Sequence, residues 1–358
     1  MRFISPLLKK AVYPALSSVG VFRASDRKGL AVLTYHGVLP EGYRSIDPVL
    51  DGSLVTSAAL RRHLRLLKAH YSIISPDEFL AWRERGAELP PLAVLLTCDD
   101  GLSNCLSDML PILVEEQVKC LFFVTGASAQ DFPGRLWYED LLLLLLRGEP
   151  GEFEIAAGGI SIGGRLGSLE QRRATWWDAV QHLSQFGVEG RNAFLEEARI
   201  QLAPPSSSQT EPADHAWKQR FNLLTASELR SLVSSGMTIG AHTLSHPMLS
   251  KASDEIVSAE ISGSRAVLES VLQQPIWAFA YPFGSPDSVN AKIISRARDT
   301  GFSAAFLNYG GGLGVHLPPY AIPRIHVTAE MSIAELEAHV SGFYPSAKRL
   351  SARFLRSS

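Results

Sequence analysis

Short apolar runs alternate with amphipathic stretches along most of this chain, and that alternation restricts the fold more than any other feature. From Gly29 the sequence runs Leu30-Ala-Val-Leu-Thr-Tyr35 into His36-Gly37, a buried strand that ends where glycine permits a tight turn. Over 57–70, Leu60, Leu64 and Leu67 recur at the spacing of an amphipathic helix, and Tyr71-Ser-Ile-Ile74 reads as a short strand. Pro90-Pro91 precedes Leu92-Ala-Val-Leu-Leu-Thr97, a continuous apolar run suited to a parallel strand covered on both faces. A helix over 111–117 and a strand over 120–125 follow. After an interruption come helix 229–234, strand 238–241, helix 255–272 and strand 276–281. Repeated strand-helix units with short connections predict an α/β fold built on a parallel sheet or barrel.

The interruption covers about 137–222. It contains Gly158-Gly159, Gly163-Gly164 and Gly167, helical patterns over 171–186 and 192–200, and then Pro204-Pro205-Ser-Ser-Ser-Gln209. An insertion of helices with a flexible exit loop is expected there. Leu141 to Leu146 is the longest aliphatic run, far below the roughly 20 residues of a membrane-spanning helix, and reads as a buried helix. The 358 residues fit either two domains or one enlarged barrel.

Residues 1–28 read as an N-terminal leader, either an amphipathic surface helix or a disordered segment. Lys9, Lys10 and Pro14 break its apolar run and no small-residue cleavage pattern follows, which argues against a secretory signal. Residues 1–22 could make peripheral membrane contact, and a cytoplasmic or membrane-face location is favoured, with export the alternative. Basic and acidic residues number 34 and 36, leaving a formal charge of -2, so no electrostatic surplus draws the chain to nucleic acid. Three cysteines, Cys98, Cys105 and Cys120, lack the paired spacing of a zinc ribbon or a disulfide framework.

Three segments after predicted strands hold most of the reactive side chains: Thr97-Cys-Asp-Asp-Gly101, His242-Thr-Leu-Ser-His-Pro247 and Tyr281-Pro-Phe-Gly284. In a barrel of parallel strands such ends share one mouth. His242 and His246 stand four apart, so one helical turn would put both imidazoles on one side of a divalent ion. Adjacent aspartates repel unless a cation lies between them, and one of the two can supply the third ligand while the other acts as a base.

The first two segments resemble the Thr-Phe-Asp-Asp-Gly and His-Ser/Thr-x-x-His-Pro motifs of the polysaccharide deacetylase family (NodB-like, carbohydrate esterase family 4). Tyr281-Pro-Phe-Gly284 is similar to the family's Pro-Tyr-Gly loop, and Tyr35-His36 to a Tyr-His pair after its first strand. The resemblance runs from about residue 30 to 344, apart from the insertion. It implies a deformed (β/α) barrel of about seven parallel strands over 29–345, interrupted by the insertion, with 346–358 left as a C-terminal tail.

By the same resemblance Asp100, His242 and His246 bind the metal and Asp99 is the catalytic base. The ligand types suit zinc, with cobalt, manganese or nickel also acceptable. The reaction implied is removal of N-acetyl or O-acetyl groups from a saccharide, in cell-surface polysaccharide metabolism. The metal would polarise the carbonyl, and a backbone N–H near Phe283 would help hold the oxyanion. A histidine near the last strand acts as general acid in the family. His326 is the positional match, with His316 second. The arginine that steadies the family's aspartate is replaced by Ala280 here, and Arg324 is the substitute the sequence offers.

Cys98 stands where the family has Phe and reads as a packed thiol facing away from the mouth. Tyr35, His36, Tyr281 and Trp137 are further residues considered for lining the site, although core packing is favoured for Trp137. Packing within the insertion is favoured for Trp176-Trp177. The family's Asp and Trp groove pattern has no counterpart over 302–309. Two other readings stand beside the first: the insertion and the missing groove pattern motivate a deacylase of a small or lipid-linked sugar or other linear amide, and the absence of the family's arginine at Ala280 permits an inactive carbohydrate-binding barrel.

Overall fold

In the computed structural model, which describes residues 8–23, 27–129, 134–202 and 215–343, ten strands form. They are β1 (Leu30–Tyr35), β2 (Ser72–Ile74), β3 (Ala93–Cys98), β4 (Leu121–Val124), β5 (Gly151–Ala157), β6 (Ile160–Leu166), β7 (Thr238–Ala241), β8 (Ala278–Ala280), β9 (Ala304–Gly310) and β10 (Ile322–His326). The apolar runs at 30–35 and 93–98 are buried at every residue, as strands between a barrel interior and a jacket of helices must be.

Seven strands close a parallel ring in the order β1-β3-β4-β7-β8-β9-β10, with β10 returning to β1 through Leu33–Ile325 and Thr34–His326. β2 is an eighth strand. It pairs with the first half of β3 (Ser72–Ala93, Ile74–Leu95), while β4 takes the second half (Thr97–Leu121). The register of β10 on β9 shifts between Ile322 and Arg324, so the barrel is deformed on its last side.

Period-two alternation divides each strand's side chains between two cores. Leu30, Val32, Ala93, Leu95, Phe123, Ala280 and Phe306 fill the barrel interior. Tyr35, Leu96, Cys98, Phe122, Phe279 and Tyr281 point outward into the layer under the helices. The helix Ser57–His70 closes that layer with Leu60, Leu64 and Leu67, starting at Thr56, whose hydroxyl accepts from the Ala59 amide.

The insertion leaves and rejoins the barrel where Arg135 bridges Asn222. It holds the helices Trp137–Arg147, Leu169–Leu183, Val188–Leu202 and His215–Phe221 around its own core, which includes Leu141, Leu145, Val180 and Phe194. One expectation is corrected. Residues 151–166 are not loop between helices but an antiparallel hairpin, β5 with β6, turned at Gly158 and Gly159 with φ of 61° and 77°. Two consecutive left-handed residues suit a tight hairpin turn, which glycines allow without strain. Only Ile155, Ile160 and Leu166 of the hairpin are buried, so its apolar signal is faint. The exit segment 204–209 lies outside the described residues.

The described part of the leader is helical and docked. Tyr13 and Phe22 pack with Ala334, Ala338 and Phe343, and Lys9 and Arg23 pair with Glu335 (2.6 Å) and Glu337 (2.7 Å). Residues 1–7 and the tail 346–358 lie outside the described residues. Among those described, no helix is long and apolar enough to cross a membrane.

Candidate active site

Parity along β3 sends Thr97 and Asp99 toward the barrel axis and Cys98 outward. Asp99 meets Arg324 from β10 in a two-pronged contact: Nη1 donates to Oδ1 at 2.7 Å and Nη2 to Oδ2 at 2.6 Å. The guanidinium also donates to Leu307 O (2.7 Å) and Thr97 Oγ1 (3.0 Å) and lies over Phe123. Such a planar fork fixes the carboxylate plane, which a lysine would not. Burial pushes the Asp99 carboxyl up, but Arg324, with His242 and His36, outweighs it and holds the group below the usual range.

The chain then turns. Asp100 and Gly101 both take φ of 75°, which swings the Asp100 carboxylate to the mouth. A Cβ on Gly101 would come within 2.9 Å of Val124, so the glycine serves both the turn and the close packing. Across the mouth, His242 follows β7. Its Nδ1 lies 2.7 Å from Ala280 O, an acceptor only, so Nδ1 carries the proton and Nε2 presents its lone pair. Nε2 of His242 and of His246 stand 3.6 and 3.3 Å from Asp100 Oδ1, and the three potential ligand atoms all lie within 4.8 Å of one another.

No helical turn brings the two histidines together. The loop does it with left-handed backbone at Thr243 (φ 63°) and His246 (φ 58°), and Thr243 Oγ1 accepts from the His246 amide at 3.0 Å. Behind the loop, Trp137 Nε1 donates to His246 O (3.2 Å), while the Glu260 carboxylate accepts from the Ser245 amide (2.8 Å). Burial pulls the His246 imidazole down. Burial raises the Asp100 carboxyl, but the two histidines more than reverse this and leave it well below the usual range. A carboxylate and two imidazoles converging on one point are the donor set of a divalent-metal centre with open positions, so the residues fit such an ion.

His326 and His36 flank the aspartates, their rings 4.8 Å apart. Burial, with His36, brings the His326 imidazole down to about 3, and its buried Nε2 has no hydrogen-bond partner. Phe283 turns in at φ 59°, its ring 5.0 Å from that of His246. Asp99, Asp100, His242, His246, His36 and His326 form the floor of a cavity of about 390 Å³.

Other expected lining residues lie elsewhere. Tyr35 pairs in register with Cys98, shares its outward face, and lies 3.3 Å through its hydroxyl from His63 Nδ1. Tyr281 likewise faces outward and donates to Tyr320 O at 2.9 Å. Both are fully buried away from the mouth because odd-numbered positions of their strands point out. His316 lies with Trp82 and Pro318, apart from the cavity. Trp137 packs in the insertion core, as expected. Trp176 packs against that core and also lines the cavity, whereas Trp177 lies outside the core, 39% exposed, and lines the cavity. Tyr138, Glu139, Leu50 and Asn308 also line it and were not anticipated. Nothing in the local sequence marks Tyr138, Glu139 and Leu50, because the insertion and the 43–54 loop reach the mouth only through tertiary packing, whereas Asn308 lies in the second half of β9, toward the mouth.

Residues 194–305 match the family model described as polysaccharide deacetylase. YxkH of Bacillus subtilis (strain 168), itself called a polysaccharide deacetylase, is 22% identical over 117 residues; the match takes in 33% of this chain and 41% of that protein. Among solved structures, the fold is similar to that of the Streptococcus pyogenes deacetylase PplD in complex with acetate (TM-score 0.53, 17% identity, 88% of this chain and 99% of that one). IcaB from Ammonifex degensii gives a TM-score of 0.53 at 17% identity, covering 87% of this chain and 97% of that one. A de-N-acetylase from Aggregatibacter actinomycetemcomitans gives 0.51 at 16%, covering 87% and 100%.

Proposed function

Taking the chain as a relative of the polysaccharide deacetylases, we propose that it is a metal-dependent hydrolase that removes acetyl groups from the amide nitrogen, or a hydroxyl oxygen, of a saccharide. The observation that carries this reading is the pairing of a clamped, ionised Asp99 with the Asp100–His242–His246 cluster in one cavity. Asp100, His242 and His246 would hold the ion, and zinc suits two imidazoles and a carboxylate best, with cobalt, manganese and nickel next. A divalent ion bound there supplies Lewis-acid chemistry, polarising a carbonyl and making water more acidic.

The chain's own groups do the rest. Asp99, kept ionised and oriented by Arg324, takes the proton of the attacking water. In the turn at 282–284 Pro282 has no N–H and that of Gly284 donates to Pro282 O (2.6 Å), so the Phe283 N–H would be the one to help hold a developing oxyanion. His326 opens on the cavity opposite and protonates the departing nitrogen. Because burial keeps its imidazole neutral at rest, the proton His326 delivers is the one Asp99 takes from the water, so the step ends with Asp99 ionised, His326 neutral and the leaving nitrogen protonated.

The test is acetate release from acetylated saccharides by metal-loaded protein, with Asp99→Asn as control. The reading requires release by wild type and its loss in the variant with metal content unchanged. Retained metal with no release from any amide or ester sugar would favour the binding-only alternative.

A further inference from the structure

We propose, resting on the deacetylase reading of the same centre, that the insertion builds a sugar-ring subsite into the active site, so that the protein acts on a short saccharide or chain end rather than within a long polymer. The helix Trp137–Arg147 brings Tyr138 to the cavity, and the helix Leu169–Leu183 brings Trp177. Tyr138 lies over His246 (ring centres 4.9 Å apart) and beside Phe283 (5.7 Å), and Phe283 meets Trp177 edge-on at 5.8 Å. An unbroken aromatic wall therefore leads from a candidate metal ligand to an indole that is 39% exposed. The apolar faces of a pyranose pack on such rings, and its hydroxyls need partners. Asn308 Oδ1, in the same cavity, is a buried acceptor with none, which a sugar hydroxyl would satisfy.

Buried bonds fix this wall in place. Arg220 grips Glu139 with two nitrogens (2.8 and 3.2 Å), Asp51 with a third (2.7 Å), and donates to Leu50 O (2.6 Å). Arg173 joins Asp47 (2.7 Å), and Trp176 Nε1 donates to Tyr138 O (2.7 Å). These bonds tie the described part of the insertion to the 43–54 loop. Val49, Leu50 and Leu54 bound the cavity from the loop side. At about 390 Å³ its size is that of a small-ligand site.

The experiment measures binding and turnover separately. In Asp99→Asn protein, affinities for N-acetylglucosamine oligomers of one to six units are read by calorimetry, with and without Trp177→Ala. We expect affinity to stop rising beyond a short oligomer, and Trp177→Ala to weaken it about tenfold. Affinity that climbs steadily to the longest oligomer, that ignores Trp177, or that follows an alkyl aglycone instead of the sugar would overturn the proposal. Acetate release from a small acetyl ester, measured on protein with Asp99 intact, reports the hydrolytic centre. Its failure beside Trp177-dependent sugar binding would sink the catalytic reading and leave the subsite standing.

Discussion

Arg324→Met removes one member of a fully buried ion pair and leaves the other. Contacts of 2.6 and 2.7 Å put the charge centres about 4 Å apart, an attraction of about 4 kcal/mol at an effective dielectric near 20. Thr97 Oγ1 and Leu307 O lose donors as well. The stranded Asp99 carboxylate should cost about 3–5 kcal/mol of folding stability, measured by urea unfolding, and acetate release should fall at least 100-fold. The pH dependence gives the sign. In the wild type the folded Asp99 carboxyl sits below its unfolded value, so its contribution is present above the unfolded value near 3.9 and is lost as pH falls through the folded one. Without Arg324, burial acts unopposed and raises the group. The variant should then regain stability relative to wild type as pH is lowered from 7 toward 4. Adding Asp99→Asn removes the stranded charge and should recover about 2 kcal/mol at pH 7. A double variant no more stable than Arg324→Met would refute the account, since the loss would then be packing alone.

Three further outcomes follow from other parts of the structure. Zinc at about 100 times its dissociation constant should stabilise the protein by about 2.7 kcal/mol in thermal or urea unfolding, and His246→Ala should abolish the effect. His63 is buried and its imidazole is brought down to about 4 by burial, so its stability contribution is full above 6.5 and is lost as pH falls toward 4; His63→Gln should flatten up to about 3 kcal/mol of that slope in urea titrations at each pH. Gly284→Ala would set a Cβ 2.3 Å from the Asn308 amide on a residue at φ 56°, and should cost about 2 kcal/mol or more while raising the KM for saccharides through displaced Asn308.

The barrel was legible from strands such as 30–35 and 93–98, which are unbroken apolar runs, and from the Asp and His residues that follow β3 and β7 directly; β7 (Thr238–Ala241), β9 (Ala304–Gly310) and β10 (Ile322–His326) carry polar residues, glycine or proline and give a weaker signal. Arg324 could be proposed as the partner of Asp99 because the usual arginine position is Ala280, and β10 carries the replacement inward. The misplacement of Tyr35 and Tyr281 was avoidable. Counting by twos from Asp99, through the register Tyr35–Cys98, puts Tyr35 on the outer face. The insertion was read less well for a physical reason. Its hairpin buries only a few residues, and its contribution to the cavity depends on Arg220, Asp51 and Glu139 meeting from separate segments, which no local pattern announces. The four-residue histidine spacing pointed to the right pair through the wrong geometry, since a loop with two left-handed residues replaces the helical turn.

Closure of the ring has a consequence for synthesis. β1 is bonded on one side to β3 and on the other to β10, so the first strand made waits for the last. Until about residue 324 has left the ribosome, the carboxylate of Asp99 has no counterion and the seam beside β1 is open. Contacts that span the whole chain fold slowly, and an exposed strand edge invites pairing with other chains. The nascent protein therefore carries Asp99 beside an unfinished seam, and the strand that closes the ring also brings its arginine partner.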